Sequence, residues 1–214
     1  MAFINTIPAC EATGEVLELY QRQQGGLDYL PNYARVFSHR PLVMRAWAEL
    51  QRAIRQQLDA RSFGLITLAA AMAIGSSYCS LAHARKLVEQ CFTPAELTAI
   101  LRGEKDSPLS DAEKAMMCMA RKVALDSSTV TQVDIDALKE AGFCDAQIFD
   151  IVAAAAGRCF FAKVPDALGA LPDAPLGELT EPLRTLLTVG RPIAVQQQKS
   201  RPFTRRFQRG QGIL

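Results

Sequence analysis

Apolar residues recur along this chain at helical spacing. Val43, Trp47, Leu50, Ile54 and Leu58 step by four, three, four and four, which predicts one apolar helix face. Pro41 stands where a first helical turn tolerates proline. Residues 61–74 are apolar almost all round, so that helix is expected at the centre of the fold. Thr93-Pro94-Ala95-Glu96 joins a capping box to a proline at the first helical position, and Gly103 closes the helix that follows. Ser110-Asp111-Ala112-Glu113 is a second capping box, followed by the stripe Ala112, Met116, Met119 and Val123. Thr131 to Asp134 opens a further helix that Gly142 ends. Asp145 opens another, striped by Ile148, Ile151, Val152, Ala155 and Cys159. Alternating strand patterns and short-period repeats are both missing. The prediction is an all-α chain of about eight or nine helices.

Of 214 residues, 49% are apolar and 21% charged, an ordinary soluble composition. The length fits one large domain, or a domain over 1–172 with an extension over 173–214 that carries a short helix. The longest apolar run, Leu65 to Ile74, is about half the roughly 18 residues of a membrane span, so no membrane role is expected. The first ten residues lack a basic region and a long apolar core, so a cytoplasmic, reducing compartment is expected. The six cysteines, at 10, 79, 91, 118, 144 and 159, are then thiols, and none forms a Cys-x-x-Cys pair. Charge is uneven: residues 1–190 carry a net −4, the last 24 carry +6 with no acid, and the latter read as a disordered basic tail. The helices at 131–141 and 145–162 raise a helix-turn-helix. The second reads Ala-Gln-Ile-Phe-Asp-Ile-Val-Ala-Ala-Ala-Ala, which offers bases and phosphates almost nothing, so nucleic acid is not an expected partner.

One constellation carries chemistry. His39, in Ser38-His39-Arg40-Pro41, reads as a structural or surface residue. His83 lies four residues after Cys79, and on a helix such positions share a face. Gly75 ends the preceding helix and Ser76 is a good N-cap for the next. Cys79 then falls in a first turn, where free backbone N–H groups and the helix dipole favour a thiolate. His83, one turn on, is placed to pass protons. The plain alternative is a buried small hydrophobe beside a hydrogen-bonded core histidine.

The string Ser76-x-Tyr78-Cys79-x-x-x-His83 resembles the Cys-x-x-Cys-x-x-x-His hallmark of the carboxymuconolactone decarboxylase-like superfamily, in its alkylhydroperoxidase D-like, peroxidase-related branch. The resemblance runs upstream through Leu30-Pro31-Asn32 and His39-Arg40-Pro41. It runs downstream through Leu109 to Glu113 and Ala141 to Asp145, to Asp166-Ala167-Leu168-Gly169, covering residues 15–172. It implies an alkylhydroperoxidase D-like helical domain that assembles as a homo-oligomer, a trimer, hexamer or dimer, with the site near a subunit interface. It further implies a hydroperoxide substrate, Cys79 as the attacking sulfur, His83 as proton relay, Ser76 and Tyr78 as hydrogen-bonding helpers, and no metal or other cofactor.

Two positions depart from that pattern. Ser76 replaces the first cysteine, and a hydroxyl cannot resolve a sulfenate. The family's glutamate, twelve residues earlier, falls on Gly64, with Asp59 or Glu49 as spatial substitutes. Cys91 lies about 18 Å along the same helix, beyond the roughly 7 Å a disulfide allows. Cys118, Cys144 and Cys159 sit in apolar stripes and are expected in the core, which leaves Cys10 or an external thiol as reductant. Three functions follow: a single-cysteine hydroperoxide reductase, a lyase that holds a carboxylated lactone through Arg61 or Arg85, or a non-catalytic ligand-binding descendant.

Overall fold

The computed structural model describes residues 2–195. Among them are ten α-helices and no strand. They are α1 (Gly14–Gln24), α2 (Asn32–Val36), α3 (Pro41–Arg55), α4 (Ala60–Ala73), α5 (Ser77–Gln90), α6 (Pro94–Arg102), α7 (Asp111–Asp126), α8 (Gln132–Glu140), α9 (Asp145–Ala167) and α10 (Glu181–Leu187). The five-residue α2 is too short for an apolar period to show.

The expected all-round apolar helix is α4, whose residues 63 to 71 are all buried. It packs against α5, α7 and α9. Leu65, Ile66 and Leu68 are fully buried on it, each contributing about 2 kcal/mol by leaving water. Asp59 caps its first turn by accepting from the backbone N–H of Arg61 and Ser62. Both predicted capping boxes form, at Thr93–Glu96 and Ser110–Glu113. A second apolar cluster joins α1, α2, α3 and the C-terminal half of α9 through Leu19, Ala34, Met44, Trp47 and Phe161, and it includes Cys79. Cys79 therefore sits where the two halves of the core meet.

Three expectations need correction. On α3 the buried residues are Met44 and Trp47, while Val43 and Leu50 lie 41% and 52% exposed. Trp47, Ile54 and Leu58 of the predicted stripe do pack against the core, and its other two members lie outside the contact. Cys118 and Cys144 are exposed and Cys159 is only half-buried, so the stripes did not carry these cysteines into the core. Cys144 is the N-cap of α9 and Cys118 is on the outer side of α7. The last helix of the domain also runs on to Ala167, with Pro165 inside it.

Residues 173–195 form a strap across the domain. Leu176, Leu183 and Leu187 are buried in the main core. The backbone N–H of Gly190 donates to Ser77 Oγ at 2.7 Å. A Cβ on Gly190 would stand 2.1 Å from the carbonyl oxygen of Gly75, so this approach requires glycine. Arg191 donates to the carbonyl of Asp166 at 2.9 Å. Most of the predicted basic tail, residues 196–214, lies outside the described residues. No helix among the described residues is long and apolar enough to cross a membrane.

Candidate functional site

The site is built on the start of α5. Gly75, at φ 72°, breaks the chain after α4. Ser76 is the N-cap of α5, and its hydroxyl oxygen accepts from the backbone N–H of Cys79 at 3.5 Å. Cys79 and His83 then share one face of the helix, 4% and 7% exposed.

A residue that no sequence motif flagged completes the site. Arg158 projects from α9 and is 4% exposed, and its Nη1 donates to Cys79 Sγ at 3.7 Å. The guanidinium also faces the rings of Phe161 and Trp47, at 5.3 and 5.9 Å to their centroids. It pairs with no carboxylate among the described residues, and its buried Nε has no hydrogen-bond partner. A buried cation without an anion is unfavourable, so its nearest ionisable neighbour, Cys79, gains from carrying the balancing charge. Burial pushes the Cys79 thiol up, and Arg158 and then the Ser76 hydroxyl offset this only in part, so in the resting protein the thiol stands above its ordinary range rather than below it, against the expectation from its place in the first turn.

His83 Nδ1 lies 3.0 Å from the Thr67 hydroxyl, which also lies 2.7 Å from the carbonyl of Phe63. With the hydroxyl proton on that carbonyl, the Thr67 oxygen accepts from Nδ1–H. Nε2 then carries a free lone pair. Burial holds His83 well below its usual range, and Arg158, Lys86 and Arg55 add to that, so the ring is neutral near pH 7. Asp166 is the nearby acid. Burial raises its carboxyl, while the Ser76 hydroxyl, within hydrogen-bonding reach, opposes the shift.

The remaining expected residues are elsewhere. Tyr78 turns its hydroxyl away from the sulfur, donating to Asp173 and accepting from the backbone N–H of Tyr33 at 3.2 Å. Asp173 is buried and also accepts from Asn32 N at 2.8 Å, so this network ties the strap to the site helix. At Gly64 a Cβ would come within 2.5 Å of Leu87 Cδ2, so Leu87 fills the space beside it. Neither spatial substitute reaches the sulfur: Asp59 caps α4, and Glu49 is exposed along α3. Arg61 is bound by Glu113 at 2.5 Å and Arg85 by Glu89 at 3.0 Å, so neither is a free anion holder. His39 is exposed and meets the carbonyl of Asn5 at 2.5 Å.

Residues 41–117 match the model of the carboxymuconolactone decarboxylase family. That segment takes in α3 to α6 and the start of α7, hence Ser76, Cys79 and His83 but not Arg158 or the strap. Among curated proteins no match is found. Solved structures show the same fold at low identity. An alkylhydroperoxidase AhpD core, peroxidase-related protein from Ralstonia eutropha superposes with a TM-score of 0.70 at 21% identity, covering 89% of this chain and 98% of that one. A peroxidase-related protein from Silicibacter gives 0.68 at 18%, covering 82% and 91%. A debrominase, solved as a cysteine-to-alanine variant with 2,3,4-tribromopyrrole, gives 0.66 at 14%, covering 86% and 95%. The matched segment therefore sits within an alkylhydroperoxidase D-like fold.

Proposed function

We propose that the protein is a thiol-dependent hydroperoxide reductase working through the single cysteine Cys79. The observation that carries this reading is the buried Arg158 guanidinium, held 3.7 Å from Cys79 Sγ with no carboxylate partner among the described residues. A guanidinium in that place lowers the cost of a thiolate and of negative charge on an oxygen leaving the sulfur.

The thiolate sulfur attacks the terminal oxygen of ROOH and the O–O bond breaks. A proton taken up by the leaving oxygen completes ROH and leaves Cys79 as a sulfenic acid. That proton is the one the Cys79 thiol gives up on forming the thiolate, and His83, through the lone pair of Nε2, is the group placed to take it and pass it to the leaving oxygen. An external thiol condenses with the sulfenic acid, releasing water and forming a mixed disulfide. A second thiol displaces Cys79 as the free thiol and leaves as the external disulfide. Ser76 replaces the cysteine that would close this cycle internally, so the electrons come from outside, which suits a reducing cytoplasm. The exposed apolar residues Val43, Leu50, Phe149 and Phe160 on α3 and α9 support a homo-oligomer.

One observation favours a second reading. A carboxylated lactone needs a cation to hold its acid and a base for its proton, and Arg158 with unprotonated His83 Nε2 forms such a pair. The two separate on Cys79→Ser. Full-length protein is expected to consume organic hydroperoxide with a small dithiol as reductant, and Cys79→Ser to lose that turnover. Turnover no faster than the blank overturns the reductase reading and leaves a lyase or a ligand-binding protein.

A further inference from the structure

The strap across the domain is held unequally along its length. Up to Leu187 it is anchored: Leu176, Leu183 and Leu187 are buried in the main core, and Asp173 ties to Asn32 and Tyr78. Beyond Leu187 none of residues 188–195 is buried. Hydrogen bonds hold that second half, from Gly190 N to Ser77 Oγ, from Arg191 Nε to the Asp166 carbonyl, and from Ala194 N to the Pro172 carbonyl at 2.9 Å. Thr188 divides the halves. Its backbone N–H and its hydroxyl both donate back to the Arg184 carbonyl, at 3.1 and 2.7 Å, which closes α10. A segment with little buried apolar area and a few partly exposed hydrogen bonds opens more readily than the fold as a whole.

Cys79 needs such an opening. Cys79, Ser76 and Arg158 are all buried. The two best-formed concavities among the described residues lie between α1 and α3 and along α3, and neither is lined by any of these three. Behind the sulfur, α5 packs against α4 and α9. In front stands the turn of Gly75 and Ser76, and the second half of the strap lies over it. Ser76 and Ser77 are fully buried although they start a helix. Gly190 rests on Ser77 Oγ and against the Gly75 carbonyl. Arg191 rests on the backbone of Asp166, whose half-buried carboxyl is within reach of Ser76.

We propose that residues 188–195 are a latch over the first turn of α5, hinged at Thr188, which lifts to let small molecules reach Cys79 while residues 173–187 stay anchored. That the visitors are a hydroperoxide and then a thiol rests on the reductase reading above.

The test loosens the latch in the full chain and reads access by iodoacetamide, with peptide mass mapping of each cysteine. Gly190→Ala sets a Cβ 2.1 Å from the Gly75 carbonyl oxygen and cannot close. It is expected to speed alkylation of Cys79 by about five- to a hundredfold, the range that overpacking gives. Arg191→Ala, a change outside the core, is expected to speed it by about two- to tenfold, the yield of one lost hydrogen bond. Half-buried Cys91 and Cys159 report general loosening and are expected to keep their rates. The pH midpoint of Cys79 alkylation is expected to stay in place in Gly190→Ala, because the latch alters access and not the thiol. In the unaltered chain, amide hydrogen exchange over residues 188–195 is expected to outpace that over α10. Unchanged alkylation of Cys79 in both variants, an equal rise at Cys91 and Cys159, or exchange of residues 188–195 only together with α10 overturns the latch. Oxidation by hydrogen peroxide is scored separately. Fast oxidation with alkylation unmoved by either variant rejects the latch and keeps the reductase, and faster alkylation without oxidation at Cys79 keeps the latch and rejects the reductase.

Discussion

Arg158→Met separates a residue kept for chemistry from one kept for packing. Arg158 is 4% exposed, and its visible compensation is two ring contacts and one 3.7 Å hydrogen bond to sulfur. Withdrawing a guanidinium from water costs several kcal/mol even after relaxation, and ring contacts return about 0.5–2 kcal/mol. An apolar side chain of similar length avoids that cost. The substitution is expected to stabilise the fold by about 1–3 kcal/mol, and at this chain length each kcal/mol raises Tm by about 2–4 °C. The thiolate moves the other way. Losing a charge-assisted hydrogen bond of about 1.5–3 kcal/mol raises the thiol pKa by about one to two units. Cys79 then holds about ten- to a hundredfold less thiolate near pH 7. Scanning calorimetry reads the first effect, and the pH profile of Cys79 alkylation by iodoacetamide, mapped by mass, reads the second. A lower Tm with an unmoved pH profile would refute the reasoning and make Arg158 a packing element.

Two further outcomes follow from the same geometry. Gly64→Ala sets a methyl against Leu87 Cδ2, 2.5 Å away in a fully buried contact. Overpacking of about 1–3 kcal/mol against a helix gain of about 0.5–1 kcal/mol predicts a net loss near 1 kcal/mol. Urea unfolding checks this, and in a Leu87→Ala background the same substitution is expected to cost nothing. His83 is held well below its unfolded value near 6.5, so below that pH the unfolded chain binds a proton that the native chain refuses. Its contribution is intact above 6.5 and is lost as pH falls from there toward the folded value. Wild type is therefore expected to lose more stability than His83→Gln between pH 7.5 and 5.5, and equal slopes would contradict a buried neutral imidazole.

The parts of this molecule legible in its sequence are those governed by local rules. Capping boxes at Thr93 and Ser110, the break at Gly75 and the all-round apolar α4 depend on neighbouring residues, and each forms as read. The Ser76, Cys79 and His83 register needs only one helix. Arg158 was not legible because its meaning is tertiary: α9 must lie against α5 before the guanidinium meets the sulfur. A faint signal was present, since Arg158 is the one charge in the run Ile151 to Ala162 of an otherwise apolar helix. Arg61 and Arg85 misled for the matching reason, because closeness in sequence does not reveal that Glu113 and Glu89 already hold them. Val43, Leu50 and Cys118 were misplaced because an apolar period marks a face without saying how far a neighbour covers it.

The most direct test of a reductase built on one cysteine is the rate at which Cys79 becomes a sulfenic acid. Full-length protein would be mixed with hydrogen peroxide or an organic hydroperoxide, trapped with dimedone and followed by intact and peptide mass, beside Cys79→Ser and free cysteine. Oxidation at Cys79 many-fold faster than free cysteine, with no trapped adduct in Cys79→Ser, is the predicted result. Oxidation at or below the free-cysteine rate would contradict it, leaving Arg158 and His83 to serve a reaction or a ligand that does not use the thiol.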